Sequence, residues 1–131
     1  MSRLRYRATK SPSHLEERFL MLWKNFKGPD LEREYSFHHE RPWRADFAQM
    51  EARVLTEIEG GIGVNGRHNR AAGFNADLKK CMEAGLADWR VFRFGPDQIT
   101  LENVERLAAL VAAAIRPKHA PTLHNAETLK F

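Results

Sequence analysis

Trp43-Arg44-Ala45-Asp46-Phe47-Ala48 and, after a short link, Arg53-Val54-Leu55-Thr56-Glu57-Ile58-Glu59 decide how this chain folds. In the first run Trp43, Ala45 and Phe47 alternate with Arg44 and Asp46. In the second, Val54, Thr56 and Ile58 alternate with Leu55, Glu57 and Glu59. A period of two is that of a half-buried strand. The link is short, as antiparallel neighbours require. Upstream, Glu34 to Glu40 alternates Tyr35 and Phe37 with polar residues, so the three runs predict an antiparallel meander.

Working outward, Ser13-His14-Leu15-Glu16 is a capping box, a hydroxyl with a glutamate three residues later. Leu15, Phe19, Leu22, Trp23 and Phe26 then follow at helical spacing, and Gly28-Pro29 closes the run. Residues 60–73 are rich in Gly, Asn and Arg and read as a loop. A second helix is predicted over Phe74–Ala84, with Phe74, Leu78, Cys81 and Met82 inward and Gly85 as its stop. Trp89 to Phe94 is a fourth strand, and Leu101 to Ile115 a third helix rich in alanine. The order α-β-β-β-α-β-α predicts one α/β domain over 13–116, a mixed four-stranded sheet flanked by helices. A basic arm (1–12) precedes it, and a tail (117–131) without apolar period, expected to be disordered, follows.

The chain has 131 residues, 43% of them hydrophobic and 29% charged, with a net charge of +4. That size suits a single core and excludes collagenous or disulfide-dense scaffolds. Cys81 is the sole cysteine, which excludes an internal disulfide and points to a reducing compartment. The longest apolar run, Leu107 to Ile115, is about half of the ~20 residues a membrane span needs. No hydrophobic segment follows the basic start, so no secretory signal is read there and a cytoplasmic protein without a membrane partner is expected.

Charge is unevenly spread. Arg3, Arg5, Arg7 and Lys10 have no acid among them, and Arg67, Arg70, Lys79 and Lys80 face only Asp77 in their stretch. Basic ends around an acidic centre fit a protein that holds a polyanion by its phosphates. Glu57 and Glu59 lie two apart on one strand, hence on one face about 6.6 Å apart. Asp46 sits in the strand before them. Carboxylates gathered on a sheet repel unless a cation neutralises them, and Mg²⁺ takes such oxygens together with phosphate oxygens. Spacing alone leaves open a solvated acidic face instead.

Trp43-Arg44-Ala45-Asp46-Phe47, Val54 to Gly61, Gly66-Arg67-His68, Gly73-Phe74 with Asp77 and Lys80, and Asp88 to Phe94 together resemble small nucleases of the PD-(D/E)xK superfamily. The likeness is to short phage and bacterial members akin to very-short-patch-repair endonucleases. It covers roughly residues 13–115. It implies a restriction-endonuclease-like core and a Mg²⁺-dependent endodeoxyribonuclease acting on branched, nicked or mismatched DNA, with Mn²⁺ able to substitute. By the resemblance Asp46 and Glu57 are metal-binding acids. Glu59 stands where the motif usually has lysine, and counts with them as a third ligand. His68, Lys79 or Lys80 then supplies the missing positive group. Glu16, with Glu17 as fallback, corresponds to an additional acid on the first helix. Its bland reading is the capping-box acid alone. Arg3, Arg5, Arg7, Arg67, Arg70 and Lys79 would contact DNA, and paired cuts would suit a homodimer. A non-catalytic DNA- or junction-binding module would use the same basic residues without needing the acids together. A metal-dependent RNase is the other alternative, since no motif here reads a 2′-hydroxyl.

Three further signals carry little. Gly61-Ile62-Gly63-Val64-Asn65-Gly66 matches G-x-G-x-x-G, but no helix is predicted to open at those glycines. His38-His39, read on a strand, would face opposite sides and make a poor metal pair. Cys81 reads as a core residue rather than a nucleophile.

Overall fold

A computed structural model describes residues 13–60 and 70–115. The arm with Arg3, Arg5 and Arg7, the loop with the glycine motif, Arg67 and His68, and the tail lie outside the described residues. The elements are α1 (His14–Asn25), β1 (Glu32–Ser36), β2 (Arg44–Gln49), β3 (Val54–Ile58), α2 (Arg70–Leu86), β4 (Arg90–Phe94), a 3₁₀ turn (Pro96–Gln98) and α3 (Leu101–Ala114). The sheet order is β1-β2-β3-β4, with β1, β2 and β3 antiparallel and β4 parallel to β3. A parallel pair needs a crossover, and α2 supplies it. The α/β class, the mixed sheet and the three helices agree with the predicted order.

Helix α1 begins as its sequence dictates. The Ser13 hydroxyl accepts from the Glu16 N–H at 3.1 Å, and the Glu16 carboxylate accepts from the Ser13 N–H at 3.2 Å. Its end differs in detail. Lys27, not Gly28, takes the left-handed position (φ 53°), and the Gly28 N–H reaches back to the Trp23 carbonyl. Gly28 serves packing instead, since a Cβ there would lie 2.2 Å from the Trp23 ring. Trp23 in turn donates its indole N–H to the Pro29 carbonyl at 2.7 Å.

Two apolar layers sandwich the sheet. Phe19 and Trp23 of α1 and Val104, Leu107, Ala108 and Val111 of α3 pack with Phe47, Val54 and Phe94. Phe19 is the hub, with its ring 5.1 Å from Phe47, 5.4 Å from Phe94 and 5.8 Å from Trp23. Such aromatic pairs add to the area they bury. The other layer joins Ala84 of α2 to Ala45, Ala48, Leu55 and Trp89.

Several expectations need correction. Strand β1 ends at Ser36 rather than Glu40, because the His38 ring accepts the Glu40 and Arg41 N–H groups and turns the chain away. His38 and His39 are therefore off the strand, with their rings stacked 5.0 Å apart. Strand β1 also begins two residues earlier, at Glu32, β2 shifts by one residue and β3 is a residue shorter at each end. Helix α2 already runs at Arg70 and passes through Gly85 to Leu86, so the loop expected over 60–73 is shorter than its composition suggests. It ends in a Schellman turn at Asp88 (φ 65°), in which the Trp89 N–H bonds the Ala84 carbonyl. The inner face of α2 is also different. Ala84 is buried and Lys80 and Cys81 half-buried, whereas Phe74, Leu78 and Met82 point to solvent. Small residues let α2 lie close on the sheet, and the large apolar ones mark the wrong face. Among the described residues no helix is long and apolar enough to cross a membrane.

Candidate active site

The site grows from a break in strand alternation. Register pairs Arg33 with Phe47 and Tyr35 with Ala45, which leaves Glu34 opposite Asp46. Phe47 packs in the α1/α3 layer, and the Arg33 guanidinium lies over its ring. Tyr35 and Ala45 pack in the α2 layer. Residues two apart on a strand ordinarily share a face. Here β1 and β2 change faces together, and Glu34, in the left-handed region at φ 50°, stands at the crossing. Pairing of β2 with β3 stops at Phe47–Thr56. Asp46 and Glu57, next in that register, lie where the strands part. The Asp46 carboxylate fills the gap by accepting the Ile58 N–H at 2.7 Å.

Helix α1 brings its first turn to the same place. Carboxylate oxygens of Glu16, Glu34 and Asp46 all lie within 4.8 Å of one another. Glu16 is 7% exposed and performs both roles open to it, closing the capping box and joining the acids. Arg33 lies 3.8 Å from Glu16 and from the exposed Glu17, which stays outside the group. Burial pushes the Asp46 carboxyl from 3.8 up to about 6. The Ile58 N–H opposes that rise, and the charges of Glu16, Glu34 and Glu57 add to it.

On the α2 side the charges are balanced. The Lys80 ammonium bonds the Glu57 carboxylate and donates to the Arg44 carbonyl at 2.8 Å, bridging β3 to β2 where they have parted. Arg93 of β4 lies 3.9 Å from Glu57 and 3.4 Å from Asp77 and bonds Glu59 at 2.7 Å. The Glu59 hydrogen bond raises the Arg93 pKa further, against desolvation.

The predicted residues therefore divide. Asp46 and Glu16 come together, while Glu57 stands outside the three-carboxylate group and, of the candidate positive groups, is reached by Lys80. Lys79 is exposed on α2, His68 lies outside the described residues, and Arg70 is described only as the first residue of α2. Glu59, just past β3, is tied to Arg93 and stands outside the three-carboxylate group. Glu34 was not foreseen. Its only signal is the charged run Glu32-Arg33-Glu34 opening a strand.

Three carboxylates this close suit a hard divalent cation, which takes oxygen ligands and offsets their repulsion. The raised Asp46 pKa agrees with this, since burial first, and the neighbouring carboxylates second, disfavour its bare charge. No protein-family model matches the chain, and neither the curated proteins nor the solved structures give a significant match.

Proposed function

We propose that the chain is a metal-dependent endodeoxyribonuclease that hydrolyses DNA phosphodiester bonds, with a preference for branched, nicked or mismatched DNA. The observation that carries the reading is the gathering of Glu16, Glu34 and Asp46 within 4.8 Å where β2 and β3 part, with the Lys80–Glu57 pair at the same parting on the α2 side. Two strand acids and a lysine are the residue types that a PD-(D/E)xK nuclease uses. Here α2 supplies the lysine that the strand lacks at Glu59.

Glu16, Glu34 and Asp46 would hold Mg²⁺ or Mn²⁺. When bound, the cation polarises the scissile phosphate and lowers the pKa of the attacking water. Glu57 orients that water and accepts its proton. Lys80, anchored by the Arg44 carbonyl, stabilises the charge that develops on the phosphate. Asp46 keeps its place through the Ile58 N–H while its charge changes. A cytoplasmic setting belongs to the same proposal.

The test is cleavage of a labelled panel with Mg²⁺, Mn²⁺ or EDTA, with Glu57→Gln alongside. Supercoiled plasmid, single strand, mismatched duplex, four-way junction and RNA form the panel. The expected result is metal-dependent DNA cutting that leaves 5′-phosphates and is lost in the variant. Binding without cutting under every metal would make the chain a binding module, and preferential RNA cutting would make it a ribonuclease.

A further inference from the structure

Helix α2 has two apolar sides, and the sheet uses one. Cys81 and Ala84 line a small cleft with Phe37, Leu55 and Val91. Phe74, Leu78, Met82 and Leu86 are instead 63, 53, 65 and 71% exposed. Spaced by four, they form a single ridge along the outer side of the helix. Isolated exposed apolar residues need no explanation, but a contiguous row of four marks an interaction surface.

The pattern of the ridge identifies its occupant. Across a two-fold axis two antiparallel helices bring residue i of one opposite residue j of the other, with i and j symmetric about the axis. Phe74, Leu78, Met82 and Leu86 are symmetric about position 80, so Phe74 meets the partner's Leu86 and Leu78 meets the partner's Met82. Lys79 and Glu83 both flank the ridge on one side, and a two-fold at position 80 leaves Lys79 and the partner's Glu83 about 3 Å apart along the helix axis. An antiparallel two-fold brings like flanks together, which sets Lys79 beside the partner's Glu83 and Glu83 beside the partner's Lys79. Neither makes an ion pair among the described residues. Within one helix they stand in the weaker order, lysine before glutamate. The row is thus complementary to itself in both shape and charge.

We propose that α2 is the interface of a two-fold symmetric homodimer, with the ridge of Phe74, Leu78, Met82 and Leu86 packed antiparallel on its copy. Ridges of spacing four interdigitate at a crossing near −50°. Four side chains offer only a few hundred Å² per copy, below the ~800 Å² of a standard interface, so the proposed dimer is a weak, reversible one. The inference does not rest on the nuclease reading.

Sedimentation equilibrium of the full chain, from roughly 1 to 200 μM, tests it on wild type, Leu78→Lys, Lys79→Glu, Glu83→Lys and the double reversal Lys79→Glu/Glu83→Lys. Wild type should pass from monomer to dimer, and Leu78→Lys should remain monomeric, with the thermal midpoint at the lowest concentration, where both are monomers, unchanged. Each single reversal should weaken the dimer tenfold or more by setting like charges together, and the double reversal should restore it. A monomeric wild type at every concentration, or a dimer indifferent to the reversals or not restored by the double, would overturn the proposal.

Discussion

Replacing Asp46 by asparagine should make the protein more stable at pH 8 and leave it nearly unchanged at pH 4. The unfolded carboxyl ionises near 3.8 and the folded one near 6. Between those values the folded state holds the extra proton, so stability falls as the pH rises through that window, and the loss is complete above it. At roughly 1.4 kcal/mol per pH unit the ceiling is ~3 kcal/mol. Asp46 is only partly buried and water screens its charge, which brings the effect to ~1–2 kcal/mol. Asparagine keeps a carbonyl oxygen for the Ile58 N–H and removes only the charge. Thermal melts of both proteins at pH 4 and pH 8 should thus show the variant ahead by ~4–8 °C at pH 8 and by little at pH 4. Millimolar Mg²⁺ should raise the wild-type midpoint at pH 8 and leave the variant unmoved, because a cation that binds the folded state stabilises it by mass action. A variant less stable than wild type by the same amount at both pH values would refute this electrostatic account.

Three other substitutions test separate parts of the structure. Gly28→Ala should cost about 1–3 kcal/mol in urea unfolding, because the new Cβ is driven into the Trp23 ring. Lys27→Gly should raise the free energy of urea unfolding by up to about 1 kcal/mol, since glycine takes the left-handed conformation that lysine adopts there under strain. Lys80→Gln should lower the cleavage rate about 10²- to 10³-fold, read as turnover at saturating DNA and metal, with DNA binding largely retained.

Local signals carried most of the fold. Ser13 and Glu16 announce α1 through chemistry confined to one turn, and the alternation around Asp46 and Glu57 announces β2 and β3. Where the structure departs from these local signals, distant parts of the chain decide. Glu34 joins the acids because β1 and β2 change faces together, and nothing in a glutamate's identity announces a φ of 50°. Phe74, Leu78 and Met82 have the spacing of a core face, yet Ala84 fits the narrow gap above Ala45, Ala48 and Leu55 better than any of them. Lys80 stood among three candidates for the positive group, and only the lie of α2 across the parted strands brings it to Glu57. The asparagines, glycines and arginines ahead of Phe74 suggested a loop where helix already runs, because propensity is a weak prior that tertiary context overrides.

Plasmid cleavage by wild type and Asp46→Asn in Mn²⁺, each shown folded by its melt, tests the central claim most directly. The account predicts that wild type nicks or linearises the plasmid and that EDTA stops it. Asp46→Asn, folded in the same buffer, should leave the plasmid intact. Cutting by Asp46→Asn at the wild-type rate, or by neither protein in any divalent metal, would contradict it.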